Sequence, residues 1–412
     1  MTVIAQSLRN GTTFPRRRRD IRGVTARMSA GIALLAAVLA SGTALAAAPH
    51  FESAAKQAIL LDDTTGAVLY AKNADERMAP SSMSKLMTAY ILFERIKEGR
   101  VSMDDAFPVS ERAWRMGGSK MFVEVNTRVK VQDLIQGIIV QSGNDACVVV
   151  AEGLAGSEEA FARLMNEKAR ELGMTGSHFM NASGWPDPEH YMTARDLSTL
   201  ARRIIDDFPE FYKFYSETEY TYNGIKQGNR NPLLYKDIGV DGMKTGHTEA
   251  GGYGLTASMK QGDRRLIMVV NGLGNVNERS NEGERLLSWG MREFENRKLF
   301  SAGEVVESAE VWLGDQGTVP LVPARDLVVT LPVADRDNLA AKVVYEGPIQ
   351  APIAQGQEIA KLVVDVPGVE PLSVPLVAGQ NVAEAGPVGR ILAAISHFVS
   401  GAAGGGEPQT QQ

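Results

Sequence analysis

Cysteine is almost missing from this chain: Cys147 stands alone among 412 residues, so no intramolecular disulfide can brace the fold. It lies within an apolar helical pattern, where a buried packing role is expected. Histidine is scarce too. The five present show no metal-ligand spacing, so neither a metal nor another cofactor is expected. Positive charge is in deficit. The chain carries −6, and setting aside residues 1–46, with seven basic residues and one acidic, moves that to −12. Such an acidic body is a poor partner for nucleic acid. Long apolar runs are also lacking, and the run at residues 31–40 is too short to prefer spanning a bilayer.

What remains is the composition of a soluble globular protein, 44% hydrophobic and 22% charged. The length allows two or three domains with at least one substantial core. The N-terminus stands apart. Arg16, Arg17, Arg18, Arg19 and Arg27 precede the short apolar run, and Ala44-Leu45-Ala46 supplies small residues at a cleavage spacing. Residues 1–46 therefore read as a secretory signal peptide for the general export route, with Met28 as an alternative start.

Beyond the leader, residues 58–70 read as a β-hairpin turning at Gly66. The stretch Pro80-Ser81-Ser82-Met83-Ser84-Lys85 then runs into a helix-forming segment, residues 86–93. Residues 104–131 mix short strands with a flexible turn at Gly117-Gly118-Ser119. Helices are expected at 134–140, at 146–154 as a buried central element, and at 161–172 with Gly173 as C-cap. Residues 181–188 read as a long turn, and Thr193 to Asp196 as a capping box; their polar groups are assigned structural roles. Two strands meet at a turn over Gln261-Gly262-Asp263, and residues 285–294 close the domain as a helix. Strands at both ends with helices between them suggest an α+β body whose terminal strands share one antiparallel sheet.

From about Gly303 short strands alternate with Gly and Pro turns, the texture of a small all-β module. The expected divisions are 1–46 leader, 51–300 catalytic domain, 303–382 β-rich domain, 386–400 amphipathic helix and 401–412 flexible tail. Val388, Ile391, Leu392, Ile395, Phe398 and Val399 fall on one face of the 386–400 helix. Packing on its own domain competes with an in-plane membrane anchor, and the glycine-rich end that follows favours the anchor.

Ser82 and Lys85 are three residues apart, so in a first helical turn they share a face. The positive end of the helix favours the anion formed on attack and lowers the lysine pKa toward its proton-accepting form. A Ser-x-x-Lys spacing is expected by chance about once in a chain this long. A second copy, Ser53 to Lys56, does occur just before a strand and is taken as a decoy. Ser142-Gly143-Asn144 and Lys244-Thr245-Gly246 follow at intervals of 60 and 102 residues. Each triplet is weak alone; in this order they are specific. Ser142 and Lys244 can relay a proton with Lys85, Asn144 can bind a substrate amide, and Lys244 with Thr245 suits a carboxylate. An extended peptide can pair with a Lys244 strand at a sheet edge, with Gly246 leaving room for its backbone. Backbone N–H groups of Ser82 and His247 can form an oxyanion hole.

These three motifs, with residues 82–88, 141–147 and 241–248 and the Trp289-Gly290 pair, resemble the serine D-alanyl-D-alanine carboxypeptidases, the low-molecular-mass penicillin-binding proteins. The resemblance covers about residues 51–385. It implies a β-lactamase-like α+β catalytic domain, a β-rich second domain, and a C-terminal helix on the outer face of the inner membrane. It further implies that Ser82 is acylated by peptidoglycan pentapeptide stems and by β-lactams, and that Arg279, in a loop at residues 277–279, helps bind the substrate carboxylate. A class A β-lactamase is excluded because no Glu-x-x-Leu-Asn lies between Asn144 and Lys244 and Gly143 replaces aspartate. A D,D-endopeptidase and a catalytically silent peptidoglycan-binding scaffold stay as alternatives.

Overall fold

The computed structural model describes residues 2–4, 50–337, 339–365 and 372–387. The expected leader (apart from residues 2–4), nearly all of the expected 386–400 helix and the 401–412 tail lie outside the described residues. The chain divides into two compact units, one running from His50 to Glu295 and the other formed by the remainder.

The first unit is built on a five-stranded antiparallel sheet. Its strands, in spatial order, are Val68–Lys72, Gln57–Asp62, Arg264–Leu273, Gly252–Gln261 and Val240–Thr248. N-terminal and C-terminal strands thus share one sheet, and the Lys244 strand is its edge. Val269 opposite Ile59 and Met268 opposite Leu60 show why the centre is stable: both strands there are buried apolar runs. The first hairpin turns where Asp62 Oδ1 accepts from Thr64 N–H at 3.0 Å, and Gly66 takes φ +74°.

Two helices form the middle of the unit. Lys85–Lys97 is buried at every position from Lys85 to Phe93, and Asn144–Ala155 at every position from Asn144 to Ala151. A helix apolar all round belongs in a core, and the two packed together carry Lys85 and Asn144 at their N-termini. Val131–Ile139, Glu158–Glu171 and Ala194–Asp207 surround them. Ser157 caps the second of these through Ala160 N–H and Thr193 the third through Asp196 N–H, while the Asp196 carboxylate accepts from Gly176 N–H and the Ser177 hydroxyl.

Two expectations change. The 104–131 stretch holds, besides the strand pair Ala106–Pro108 and Arg128–Lys130, a short helix Glu111–Arg115 capped by Ser110. The closing helix runs Val276–Glu293, nine residues earlier than expected, so Arg279 lies in its first turn and not in a loop. The cause is local. Asn275 Oδ1 accepts from Glu278 N–H at 2.9 Å, and the Glu278 carboxylate reaches back to Asn275 Nδ2 and Gly274 N–H.

The second unit is all-β apart from one short 3₁₀ turn among its described residues. Its main sheet has the order Thr2–Ile4, Ala340–Glu346, Glu358–Asp365, Leu372–Ala378, Thr318–Val322, Glu307–Trp312, Ile349–Gln350. Alternate residues such as Ala341, Val343 and Tyr345, and Ala360, Leu362 and Val364, point into its own core. No helix among the described residues is long and apolar enough to cross a membrane.

Candidate active site

Ser82 sits on a 3₁₀ turn, Ser81–Ser84, that leads directly into the Lys85 helix. Ser81 takes φ +52°, an unfavourable value for a residue with a side chain, and so presents the next residue at the mouth of a cleft. The Lys85 amine is almost fully buried, 1% exposed, and makes three hydrogen bonds: to Ser82 Oγ at 2.8 Å, Asn144 Oδ1 at 2.7 Å and the Ser183 carbonyl at 2.7 Å. Burial is the main cause that brings its pKa from 10.5 to about 8, with Arg230 adding to the effect. Desolvation, rather than the expected helix dipole, therefore dominates.

Those three partners fix the chemistry of the neutral amine. Asn144 Nδ2 donates to the Gly117 carbonyl at 2.9 Å, so its Oδ1 must face Lys85. Asn144 Oδ1 and the Ser183 carbonyl can only accept. A deprotonated Lys85 gives its two hydrogens to them and turns its lone pair to Ser82, whose hydroxyl can donate. Asn144 thus has both ends of its amide engaged within the protein and acts on Lys85 and the 117 turn.

The middle motif is held in a similar way. Ser142, at φ +57°, accepts from Lys244 Nζ at 2.9 Å, and Lys244 also donates to the Thr245 carbonyl at 3.2 Å. Burial first, then Lys85, Arg230 and Arg279, holds the Lys244 amine well below its ordinary pKa. A direct Ser142–Lys85 link, which the expected relay includes, is not among the hydrogen bonds of the described residues. Asp145 is buried beside them. Its carboxylate accepts from Met121 N–H at 2.9 Å, Phe122 N–H at 2.9 Å and Val123 N–H at 3.2 Å. The neighbouring Gly117 turn, expected to be flexible, is tied down by Asn144 and by its own Ser119, whose carbonyl accepts from Asn144 N–H at 2.7 Å.

Around Ser82 the surface opens in two directions. One is a polar pocket of about 150 Å³ where Ser142, Thr245, Gly246 and His247 meet Arg230 and Arg279. The other is a cleft of about 440 Å³ flanked by Asn144, Trp185, His247 and Glu249. The His247 ring is exposed and lies on Tyr253, centroids 3.9 Å apart. Arg279 is buried with its guanidinium 5.6 Å from the Tyr253 ring, and its Nε has no hydrogen-bond partner among the described residues. All nine residues singled out in the sequence thus border Ser82 or bond to its neighbours.

Four contributors were not legible there. Ser183 serves through its carbonyl, which no side-chain motif encodes. Trp185 packs over the Gly117-Gly118 turn, where an added Cβ on Gly118 would meet its ring at 3.2 Å. Asp145, a motif neighbour with no role legible from its type, anchors the backbone of residues 121–123. Arg230 hydrogen-bonds Ser119 and arrives through the hairpin Glu219–Tyr222 and Ile225–Gly228. Its only sequence signal is the flanking turn residues: Asn229 accepts from Asn231 N–H, and Asn231 donates to the Gly242 carbonyl. The other Ser-x-x-Lys copy is structural, since Ser53 Oγ donates to Glu282 at 2.6 Å.

Comparison with known proteins agrees with this geometry. Residues 43–274 match the family model described as D-alanyl-D-alanine carboxypeptidase, and residues 294–384 match that of the penicillin-binding protein 5 C-terminal domain. The D-alanyl-D-alanine carboxypeptidase DacA of Haemophilus influenzae is 39% identical over 81% of this chain and 86% of its own length. DacC of Escherichia coli is 39% identical over 88% and 93%. The solved penicillin binding protein 5 of Haemophilus influenzae superposes with a TM-score of 0.76 at 38% identity, covering 81% of this chain and 99% of its own. Penicillin-binding protein D2 of Listeria monocytogenes, solved in an ampicillin-bound form, gives 0.55 at 30% identity, covering 59% and 100%. With the family model spanning more than half of the chain, this chain belongs to the D-alanyl-D-alanine carboxypeptidase family.

Proposed function

We propose that this protein is a serine D,D-carboxypeptidase that removes the terminal D-alanine from peptidoglycan pentapeptide stems through an acyl-enzyme on Ser82. The observation that carries the reading is the buried Lys85 amine 2.8 Å from Ser82 Oγ, with a pKa brought to about 8 and two carbonyl acceptors aiming its lone pair. Neutral Lys85 takes the Ser82 proton as general base, and Ser82 attacks the penultimate D-alanine carbonyl. The oxyanion forms against backbone N–H groups of Ser82 and His247. The proton that Lys85 took passes to the departing amine, with the Ser142 hydroxyl, held by Lys244, as the relay, and terminal D-alanine leaves with Lys85 neutral again. Water then hydrolyses the acyl-enzyme, with Lys85 again as base.

The pocket around Thr245 supports binding of the terminal carboxylate. Arg230 and Arg279 line it, Lys244 lies behind it, and no acidic residue does. The edge position of the Lys244 strand supports pairing with an extended substrate, and a Cβ on Gly246 would meet the Pro80 carbonyl at 2.7 Å. β-Lactams acylate Ser82 in the same cleft. Residues 1–46 support export to the periplasm, and the apolar stripe at 386–400 supports peripheral attachment to the outer face of the inner membrane.

The test compares residues 47–412 with their Ser82→Ala variant on a monomeric pentapeptide muropeptide and a cross-linked dimer, read by mass. Loss of one D-alanine from the monomer, absent in the variant, is the expected result. Cleavage of the dimer alone would make the enzyme an endopeptidase, and no product from either would leave a peptidoglycan-binding scaffold.

A further inference from the structure

The Ser82 cleft continues at its Thr248 end. A second cavity of about 570 Å³ shares Gly184, Trp185, Pro186, Thr248 and Ala250 with it and extends to Arg77, Glu189 and Tyr191. The polar pocket at Thr245, the central cleft at Ser82 and this second cavity therefore succeed one another along the edge strand and the turn after it. From Thr245 to Thr248 is three residues, about 10 Å of strand. A peptide paired with this edge, its terminal carboxylate at Thr245, brings the side chain two or three residues before its end to the second cavity.

The cavity has a charged wall. Antiparallel bonding of Met78 to Met192, 2.8 Å and 3.1 Å, sets Arg77 beside Tyr191, and the guanidinium lies 4.3 Å from the ring centroid. The cation–π contact holds the guanidinium over the ring. Arg77 is exposed and joins no ion pair among the described residues. Glu189, also exposed on this cavity, joins none either. Asp187, by contrast, is turned into its own loop, where Oδ1 accepts from Glu189 N–H at 2.8 Å. Arg77 and Glu189 thus border the same space, with Asp187 beside them, and none of the three joins an ion pair among the described residues.

We infer that this second cavity is a specificity site for an acyl donor whose side branch ends in both an amine and a carboxylate, with Arg77 receiving the carboxylate and Glu189 the amine. The inference rests on the carboxypeptidase reading and adds to it a choice between stem peptides. A branch ending in an amine alone leaves Arg77 without an anionic partner, and the site discriminates against it.

Two synthetic pentapeptides test this, both ending in D-alanyl-D-alanine and differing only in the third residue, 2,6-diaminopimelate in one and lysine in the other. D-alanine release is measured for residues 47–412, for Arg77→Gln and for Arg77→Lys. Wild type is expected to show kcat/KM about tenfold higher on the diaminopimelate peptide, the size of one charge-assisted contact. Arg77→Gln should bring the two peptides to the same kcat/KM through a loss on the diaminopimelate peptide, and Arg77→Lys should retain part of the preference. Equal rates in wild type, or an equal loss on both peptides in Arg77→Gln, would overturn the specificity site and leave the carboxypeptidase standing. Release of D-alanine from neither peptide by wild type would overturn the carboxypeptidase reading itself, and the specificity site with it.

Discussion

A lysine amine at 1% exposure is an expensive group to keep charged, and that cost is what makes Lys85 useful. Because its pKa falls from 10.5 to about 8, penicillin acylation should rise with pH through about 8 and then level off. Lys85→Ala should lose acylation by roughly 10²–10⁴-fold, the usual range for a general base, with circular dichroism unchanged. A flat pH profile in wild type, or near-normal acylation in the variant, would remove Lys85 as base. The same shift has a consequence for stability. Between about 8 and 10.5 the unfolded chain holds the proton that the folded chain has released, so stability rises with pH across that window and the burial cost is full below it. His190 works in the same direction at lower pH. Its Nδ1 accepts from Met180 N–H, so Nε2–H donates to Ser84, and burial lowers its pKa from 6.5 to about 4. Its contribution is complete above 6.5 and is lost as pH falls toward 4.

The 181–191 loop shows how an element without regular structure can hold a site. It meets the nucleophile turn and the Lys85 helix at four places: the Ser183 carbonyl on Lys85, the Ala182 carbonyl on Thr88 Oγ1 at 2.6 Å, His190 on Ser84 at 2.9 Å, and Gly184 against Ser81. Gly184 takes φ +76°, and a Cβ there would lie 1.9 Å from the Ser81 carbonyl oxygen. Gly184→Ala must therefore push the loop away by more than 1 Å. Strain of about 1–3 kcal/mol should lower the melting temperature, and misplacing the Ser183 carbonyl should slow acylation about 10²-fold. Wild-type acylation in that variant would show that the loop does not position the base. The sequence marks these residues as a turn by composition, yet it is silent about their target, because the contacts join residues about a hundred positions apart. The early start of the Val276–Glu293 helix was, by contrast, available in the sequence as Asn275 followed by Glu278.

At the scale of the molecule, each unit has its own apolar core. A chain of residues 47–300 is therefore expected to fold and to be acylated by fluorescent penicillin at an undiminished rate. Failure of that shorter chain to label would tie the Ser82 site to the β-rich unit. Deleting residues 386–412 should move the protein from the membrane to the soluble fraction without changing D-alanine release. Retention of the truncated protein on membranes would exclude the anchor.

Residue type and spacing alone determined the class of chemistry: three short motifs in a fixed order, an acidic chain and an α+β pattern followed by a β-rich one. That was possible because Ser82 and Lys85 interact within a single helical turn and because apolar periodicity is local. Only the tertiary structure decided that Lys85 is buried enough for its pKa to fall to about 8, and that carbonyls from residues 144 and 183 accept from its amine. It alone brought Arg230 and Arg279 to one pocket and set Arg77 and Glu189 on the second cavity, in no ion pair among the described residues. Desolvation, and the meeting of groups distant in the chain, exist only once the core has closed around them.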